Sequence, residues 1–396
     1  SRVPDEFFEQ KAREPLIRVS LPLGQPVEPR WPFAEVTGGE DGDEIDSLML
    51  RPDDSRERLA ALITSPRNRR FPRVMVNHLW NRLIGAAIVE PVHDWEGRDP
   101  SHPELLRWLS TQFMVSHYDA KHVLRLIMNS DLYQREPVGR NAEAGPPLRF
   151  FAAPDRRRLS AEQIVDSLFV SCGAQMDTEE LTFVHDGVHP MNKRLTLGKP
   201  SRAWMLASLN NERDRPSLSL PRARPIADVL QAFGWTGSRQ KPIPQRDMSP
   251  NVLQPGILAN GTLTMSLTRA ARGSELTELA IAANSPDALI DSLFLRFLSR
   301  YPTPQEKSDL VAPLRTGFED RLVRVDPDRQ ESELEPLPQV TWTNHLVPEA
   351  NEVQLELQRR VLAGPTVDPR LDSPWREVYE DVIWSLVNHR EFVWIP

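Results

Sequence analysis

Three stretches of this sequence carry residue types at spacings that could do chemistry. In H-D-W-E-G-R-D (93–99), Asp94, Glu96 and Asp99 flank Trp95. Paired carboxylates beside an aromatic platform are what glycoside hydrolysis requires, and their separation sets its stereochemistry. An acidic loop that caps the next helix has the same composition. In H-D-G-V-H (185–189), His185, Asp186 and His189 lie within five residues, and Gly187 with Pro190 favours a tight turn. Such a turn can converge on a metal ion if one further ligand comes from elsewhere; a solvated loop is the competing reading. In R-R-R-L-S-A-E-Q-I-V-D-S-L (156–168), Glu162 and Asp166 stand four apart on one helical face. Like charges there repel unless cations lie against them, and Arg157, Arg158 or Arg82 could supply bidentate pairing. This constellation suits a buried structural ion network, or else a site for an anionic ligand, and the structural reading is the better of the two.

Other candidates are weaker. Five of the nine histidines, His78, His93, His102, His117 and His122, fall between 78 and 122. His117 and His122 are five apart and do not share a helical face, so capping and surface roles are expected for the group. Of the ten tryptophans, Trp80, Trp108 and Trp384 lie in helical blocks and are expected in the core. Trp31, Trp95, Trp235 and Trp342 lie in breaker-rich segments and are the candidate sugar-stacking platforms. Arg67, Arg69, Arg70 and Arg73 form a basic cluster without aromatic interleaving, read as a solvated turn or a patch for an acidic partner. No G-x-S-x-G, phosphate-binding glycine loop or Cys/His nucleophile pair is present in the sequence.

The elements that must position these residues are helices. In 73–86 the apolar residues Val76, Leu79, Trp80, Leu83 and Ile84 follow the spacing of a core-facing helix. Ser101 and Glu104 read as a capping box, Asp119 as a cap, and Ser160 with Gln163 as a second capping box. Further helices are expected near 204–210, 225–234, 250–270, 275–283, 286–300, from 304, at 349–362 and at 374–388. The fold class is mainly α: packed short helices with long ordered proline-rich loops and at most a few short strands. Proline outnumbers glycine, 37 to 18, which fits many capped helices and stiff connections. The expected organisation is an N-terminal arm (1–50, with one strand at 16–24), a first helical sub-domain (51–172) and a second (173–317). A charged loop or insertion (318–350) and C-terminal helices packing back on the core (351–396) complete it.

Bulk properties narrow the function classes. A formal charge of −8 argues against wholesale nucleic-acid binding, which needs a basic footprint. No apolar run reaches the roughly 18 residues of a membrane span. The single Cys172 leaves no intramolecular disulfide, no C-x-x-C-H haem attachment and no multi-cysteine zinc site within this chain. The start at Ser1 reads as a processed product, an excised fragment or the ordered part of something longer.

Several segments, in order, resemble a planctomycete domain of unknown function of the PSD type. They are V-N-H-L-W-N-R-L-I-G (76–85), H-P-E-L-L-R-W-L (102–109), L-I-M-N-S-D-L-Y (126–133) and the arginine-rich block with Arg157, Arg158, Glu162 and Asp166. Then come Q-R-D-M-S-P-N-V-L-Q-P-G-I-L-A-N (245–260), L-S-R-Y-P-T-P-Q-E (298–306) and W-S-L-V-N-H-R-E-F-V-W (384–394). The resemblance runs from about residue 47 to the C-terminus, with 318–350 atypically long. That family sits C-terminal to cytochrome c-like and immunoglobulin-like segments in secreted proteins. The resemblance therefore implies an extracytoplasmic location (periplasm, cell surface or secreted) and a c-type cytochrome as partner. Haem would be carried only by a partner or a missing segment. The expected function is a non-catalytic structural or interaction module of a cytochrome-associated assembly. The alternative is a polysaccharide-active enzyme using the acidic, Trp-flanked loop, with a metal ion at His185–His189 as the one cofactor the residues suggest.

Overall fold

The computed structural model describes residues 24, 42–51, 53–95, 97–137, 151–179, 181–182, 196–209, 220–235, 249–325, 337 and 348–395. The expected strand at 16–24, apart from Gly24, falls outside them, as do Trp31, Trp342, Glu96, His185, Asp186 and His189. The described chain is mainly α. In order it forms α1 (Gly42–Ser47), α2 (Ser55–Thr64), α3 (Arg70–Ile84), α4 (Pro103–Val115), α5 (Ala120–Met128), β1 (Arg157–Arg158) and α6 (Ala161–Ser171). Next come β2 (Leu181–Thr182), β3 (Thr196–Gly198), α7 (Ala203–Leu209), α8 (Ala223–Ala232), α9 (Leu253–Asn260), α10 (Thr262–Leu267) and α11 (Glu275–Ala282). The chain ends with α12 (Pro286–Leu298), α13 (Pro304–Arg315), α14 (Pro348–Ala363), α15 (Ser373–Val387), a 3-10 turn (Arg390–Val393) and β4 (Trp394–Ile395). β1 pairs antiparallel with β4, Arg157 opposite Ile395, and β2 pairs with β3.

The chain divides into two compact units, residues 1–135 with 141–154, and residues 136–140 with 155–396. Helix α6, grouped by sequence with the preceding elements, belongs to the second unit, because Ile164, Val165 and Leu168 pack with Ile226, Val229 and Leu230 of α8.

In the first unit α3, α4 and α5 pack on one another. Val76, Trp80 and Ile84 of α3, Leu106, Leu109 and Phe113 of α4, and Val123 and Ile127 of α5 are buried together. Each such side chain contributes roughly 1.5–3 kcal/mol of transfer free energy. Helix α3 stops at Gly85, whose φ of 88° is left-handed backbone that glycine adopts without a Cβ penalty. Asp119 caps α5 as its position suggests, accepting from the Lys121 N–H. The expected Ser101–Glu104 capping box does not form: His102 occupies the cap position, and the Ser101 hydroxyl donates to the Ile88 carbonyl at 3.0 Å. The loop claims Ser101 before the helix can.

In the second unit the expected Ser160 cap is realised, and the structure adds one at Thr303 that the sequence reading did not name. Ser160 with Gln163 and Thr303 with Glu306 form reciprocal capping boxes on α6 and α13. The segment expected as one helix at 250–270 breaks into α9 and α10 at Gly261, where the backbone turns extended. Helix α15 ties the unit together through its aromatic edge. The Trp375 indole donates to Leu314 O at 2.9 Å, the Tyr379 hydroxyl to Leu276 O at 2.9 Å, and the Trp384 indole to Ala259 O at 2.8 Å. The charged segment expected from 318 begins inside this core. Phe318 and Arg321 are buried, and the Arg321 guanidinium donates to the Ala280, Ile281 and Ala283 carbonyls at the end of α11. A cation there complements the negative end of the helix dipole.

Candidate functional site

The V-N-H-L-W-N motif is built around a buried amide. The Asn77 Nδ2 donates to Val89 O at 3.0 Å, and its Oδ1 accepts from the N–H groups of Ile88 (2.9 Å) and Val89 (3.0 Å). The chain leaving α3 is thereby fixed against the helix it came from. Beyond it, the Glu90 carboxylate accepts from the Ala87 N–H at 3.1 Å, and Glu90–Pro91 is a cis peptide. The His78 and His93 rings lie 5.1 Å apart, and burial, then the charge of His93, holds His78 below the usual histidine range.

This anchoring decides the fate of the acidic loop. Asp94 and Asp99 are exposed, whereas Trp95 is half-buried. The Trp95 indole donates to Val92 O at 3.0 Å, and the Arg70 guanidinium lies 5.9 Å from the ring centroid. Trp95 is thus a packed side chain beneath a cation rather than an open platform. Trp235 is buried too, while Trp108 and Trp384 are exposed, all three opposite to their expected placement. Trp108 falls on the solvent side of α4 because Leu106 and Leu109 define the inward stripe.

The arginine-rich block lies in the second unit, and Arg82 lies exposed on α3 of the first. Asp166 is not the anion of an arginine cluster: its Oδ1 accepts the Ala203 N–H at 2.8 Å, at the start of α7. The Arg158 guanidinium sits 5.5 Å from the Phe233 ring centroid and donates to Phe233 O at 3.2 Å. Arg157, Arg158 and Glu162 are all half-buried. The repulsion expected between Glu162 and Asp166 is relieved on one side by a helix N-terminus.

Three motif blocks far apart in sequence converge here. Arg300 donates to both Glu306 oxygens (2.8 and 2.7 Å) and to both Glu391 oxygens (2.7 and 3.3 Å). His389 Nε2 stands 3.7 Å from Glu306. The Arg300 hydrogen bonds pull the Glu306 carboxyl down to about 2 and hold Glu391 below the usual carboxylate range, while the paired carboxylates raise Arg300 itself. The Leu159 N–H donates to Val393 O at 2.8 Å, extending the β1–β4 pairing.

Beside this clamp opens a cleft of about 830 Å³, lined by residues of the arginine-rich block, the end of α12 and the terminal turn. A second cavity of about 770 Å³ lies near Phe169, Leu263 and Val361, with Asp177 and Glu179 at its polar side. Burial raises the Glu179 carboxyl, opposed by the N–H groups of Arg222 (2.9 Å) and Ala223 (3.0 Å), to which it is bound at the start of α8. Among the described residues no group of three or more His, Cys, Asp or Glu side chains could hold a metal ion. Cys172 is buried, with its thiol pushed up to about 12.

The PSD1 family, proteins of unknown function (DUF1553), matches residues 55–314. The chain belongs to this family. The PSD1 match covers α2 to α13, so Asn77, Asp166, Arg300 and Glu306 fall inside it and Glu391 beyond it. Comparison with curated proteins and with solved structures gives no match. Among the described residues no helix is long and apolar enough to cross a membrane.

The residues that sequence reasoning passed over are Asn77, Arg300 and Glu391. Each lay within a quoted motif, but only the fold shows that Arg300 and Glu391, 91 positions apart, share an ion pair.

Proposed function

We propose that this PSD1 chain is a non-catalytic structural and interaction module of an extracytoplasmic, cytochrome-associated assembly. The observation that carries the non-catalytic reading is that three polar motif residues, Asn77, Asp166 and Arg300, are spent on the fold itself. Asn77 fixes the exit of α3, Asp166 caps α7, and Arg300 ties Glu306 to Glu391. A catalytic set would leave such groups aimed at a cleft, with a proton donor held near neutral pKa.

The extracytoplasmic setting and the c-type cytochrome partner rest on the family resemblance. On this reading the haem belongs to a partner or to a neighbouring segment. Against the alternative of polysaccharide hydrolysis at the acidic loop stand the exposure of Asp94 and Asp99 and the packed ring of Trp95.

The test is size-exclusion chromatography of the protein isolated gently from its own cells, recording 280 nm and Soret absorbance together. Co-elution with a haem protein above the monomer mass is expected. A haem-free monomer would overturn the cytochrome assembly.

A further inference from the structure

The cleft beside the Arg300 clamp contains polar groups that the fold leaves unused. Arg156 and Arg390 are exposed, and neither guanidinium has a hydrogen bond or ion pair among the described residues. The same holds for the carboxylate of Glu136 and the hydroxyl of Ser167, both of which line the cleft. Trp394 lines it as well, 36% exposed and with no partner for its indole N–H among the described residues. By contrast, Arg296 is engaged by Glu275 and the Ser171 carbonyl, and Arg300 by its two glutamates.

We infer that this cleft binds an uncharged saccharide. The argument starts from charge. The unpaired charged groups are of both signs, two guanidiniums and one carboxylate, so no ligand of a single charge sign pairs with all of them. A sugar hydroxyl is both donor and acceptor, so it satisfies a guanidinium and a carboxylate alike. The indole of Trp394 offers an apolar face to the C–H side of a pyranose ring and a donor at its edge. The volume of about 830 Å³ lies in the range of ligand-binding pockets.

The same geometry assigns binding rather than cleavage. Glycoside hydrolysis needs a carboxylic acid that stays protonated to donate to the leaving oxygen. It also needs a second carboxylate, and of the three that line the cleft Glu391 is tied to Arg300 and Asp166 to the N–H of Ala203, which leaves Glu136 alone without a partner among the described residues. This inference stands whether or not the chain has a cytochrome partner.

Titration calorimetry of the intact chain with cellohexaose, laminarihexaose, maltohexaose and xylohexaose tests it, with hexagalacturonate as the charged comparator. At least one neutral hexaose is expected to bind. Trp394→Ala, Arg156→Ala and Arg390→Ala should each weaken it about tenfold, equivalent to about 1.4 kcal/mol. Trp204→Ala, at a half-exposed tryptophan that does not line the cleft, should leave it unchanged. The two arginines are exposed and have no partner among the described residues, so their variants keep the test decisive if Trp394→Ala fails to fold. No binding by any neutral hexaose, binding of the charged oligomer alone, or affinity unchanged in the arginine variants would each overturn the inference.

Discussion

Replacing Asn77 by alanine removes three hydrogen bonds at once and leaves their partners buried. Those partners are the N–H groups of Ile88 and Val89 and the carbonyl of Val89, in a region where Asn77 and Val89 are fully buried and Ile88 nearly so. An orphaned buried polar group costs about 1–3 kcal/mol. The space vacated by the amide admits a water that re-satisfies part of the loss, so the low end applies to each group, and the sum is about 3–4 kcal/mol. Urea denaturation followed by tryptophan fluorescence should register that loss. Hydrogen exchange over residues 86–92 should show the Ile88 and Val89 amides losing protection by roughly 100- to 1000-fold, the same free energy read locally. Asn81→Ala, four residues on in α3 with no side-chain hydrogen bond among the described residues, should cost less than about 0.5 kcal/mol, as ordinary surface changes do. The reasoning fails if Asn77→Ala costs under 1 kcal/mol, or if the two amides stay protected.

Three further outcomes follow from the second unit and the histidine pair. Arg300→Gln should cost about 1–2 kcal/mol near neutral pH, a partly exposed bidentate network being stronger than a single surface pair. Because Arg300 depresses Glu306 and Glu391, their contribution is present above the ordinary value of 4.5 and is lost as pH falls towards about 2. The variant should therefore show a flatter acid-denaturation curve between pH 5 and pH 2, and an unchanged slope would refute the linkage. Gly173→Ala should destabilise by at least about 2 kcal/mol in thermal unfolding, since φ is +65° and the added Cβ would run into the Cβ of Glu275, with Arg296 Nη2 only 2.6 Å away. For His78, burial and His93 favour the neutral ring in the folded chain, so its stabilisation is complete above the ordinary 6.5 and declines as pH falls below it. An NMR titration should place the His78 midpoint below that of an unstructured histidine and move it upward in His93→Ala; a midpoint at or above 6.5 would contradict this.

Much of the local architecture was legible because its signals are local. The stripe Val76, Trp80, Ile84 specifies the buried face of α3, and Ser160–Gln163 fixes where α6 begins. The misread positions share one cause. Ser101 carried a good capping signal but lies within reach of the Ile88 carbonyl, which Asn77 brings there. Gly261 interrupts an apolar run whose periodicity alone reads as one helix. Trp95 and Trp235 sit among breakers, yet turn-rich backbone does not prevent a large ring from finding the core.

The chain by itself determined the mainly helical class, the principal helix starts and the family, since helix periodicity and capping act over a few residues and motif order survives without coordinates. It did not determine which charged groups are spent and which are free. Arg156, Arg157 and Arg158 are adjacent and identical in type, yet Arg156 lines the cleft with no partner among the described residues while Arg158 lies over Phe233. An ion pair or a cleft depends on side chains separated by tens of residues in sequence, such as Arg300 and Glu391. Their meeting is decided by how the helices pack, because burial and counter-charges are properties of the tertiary neighbourhood and not of the residue.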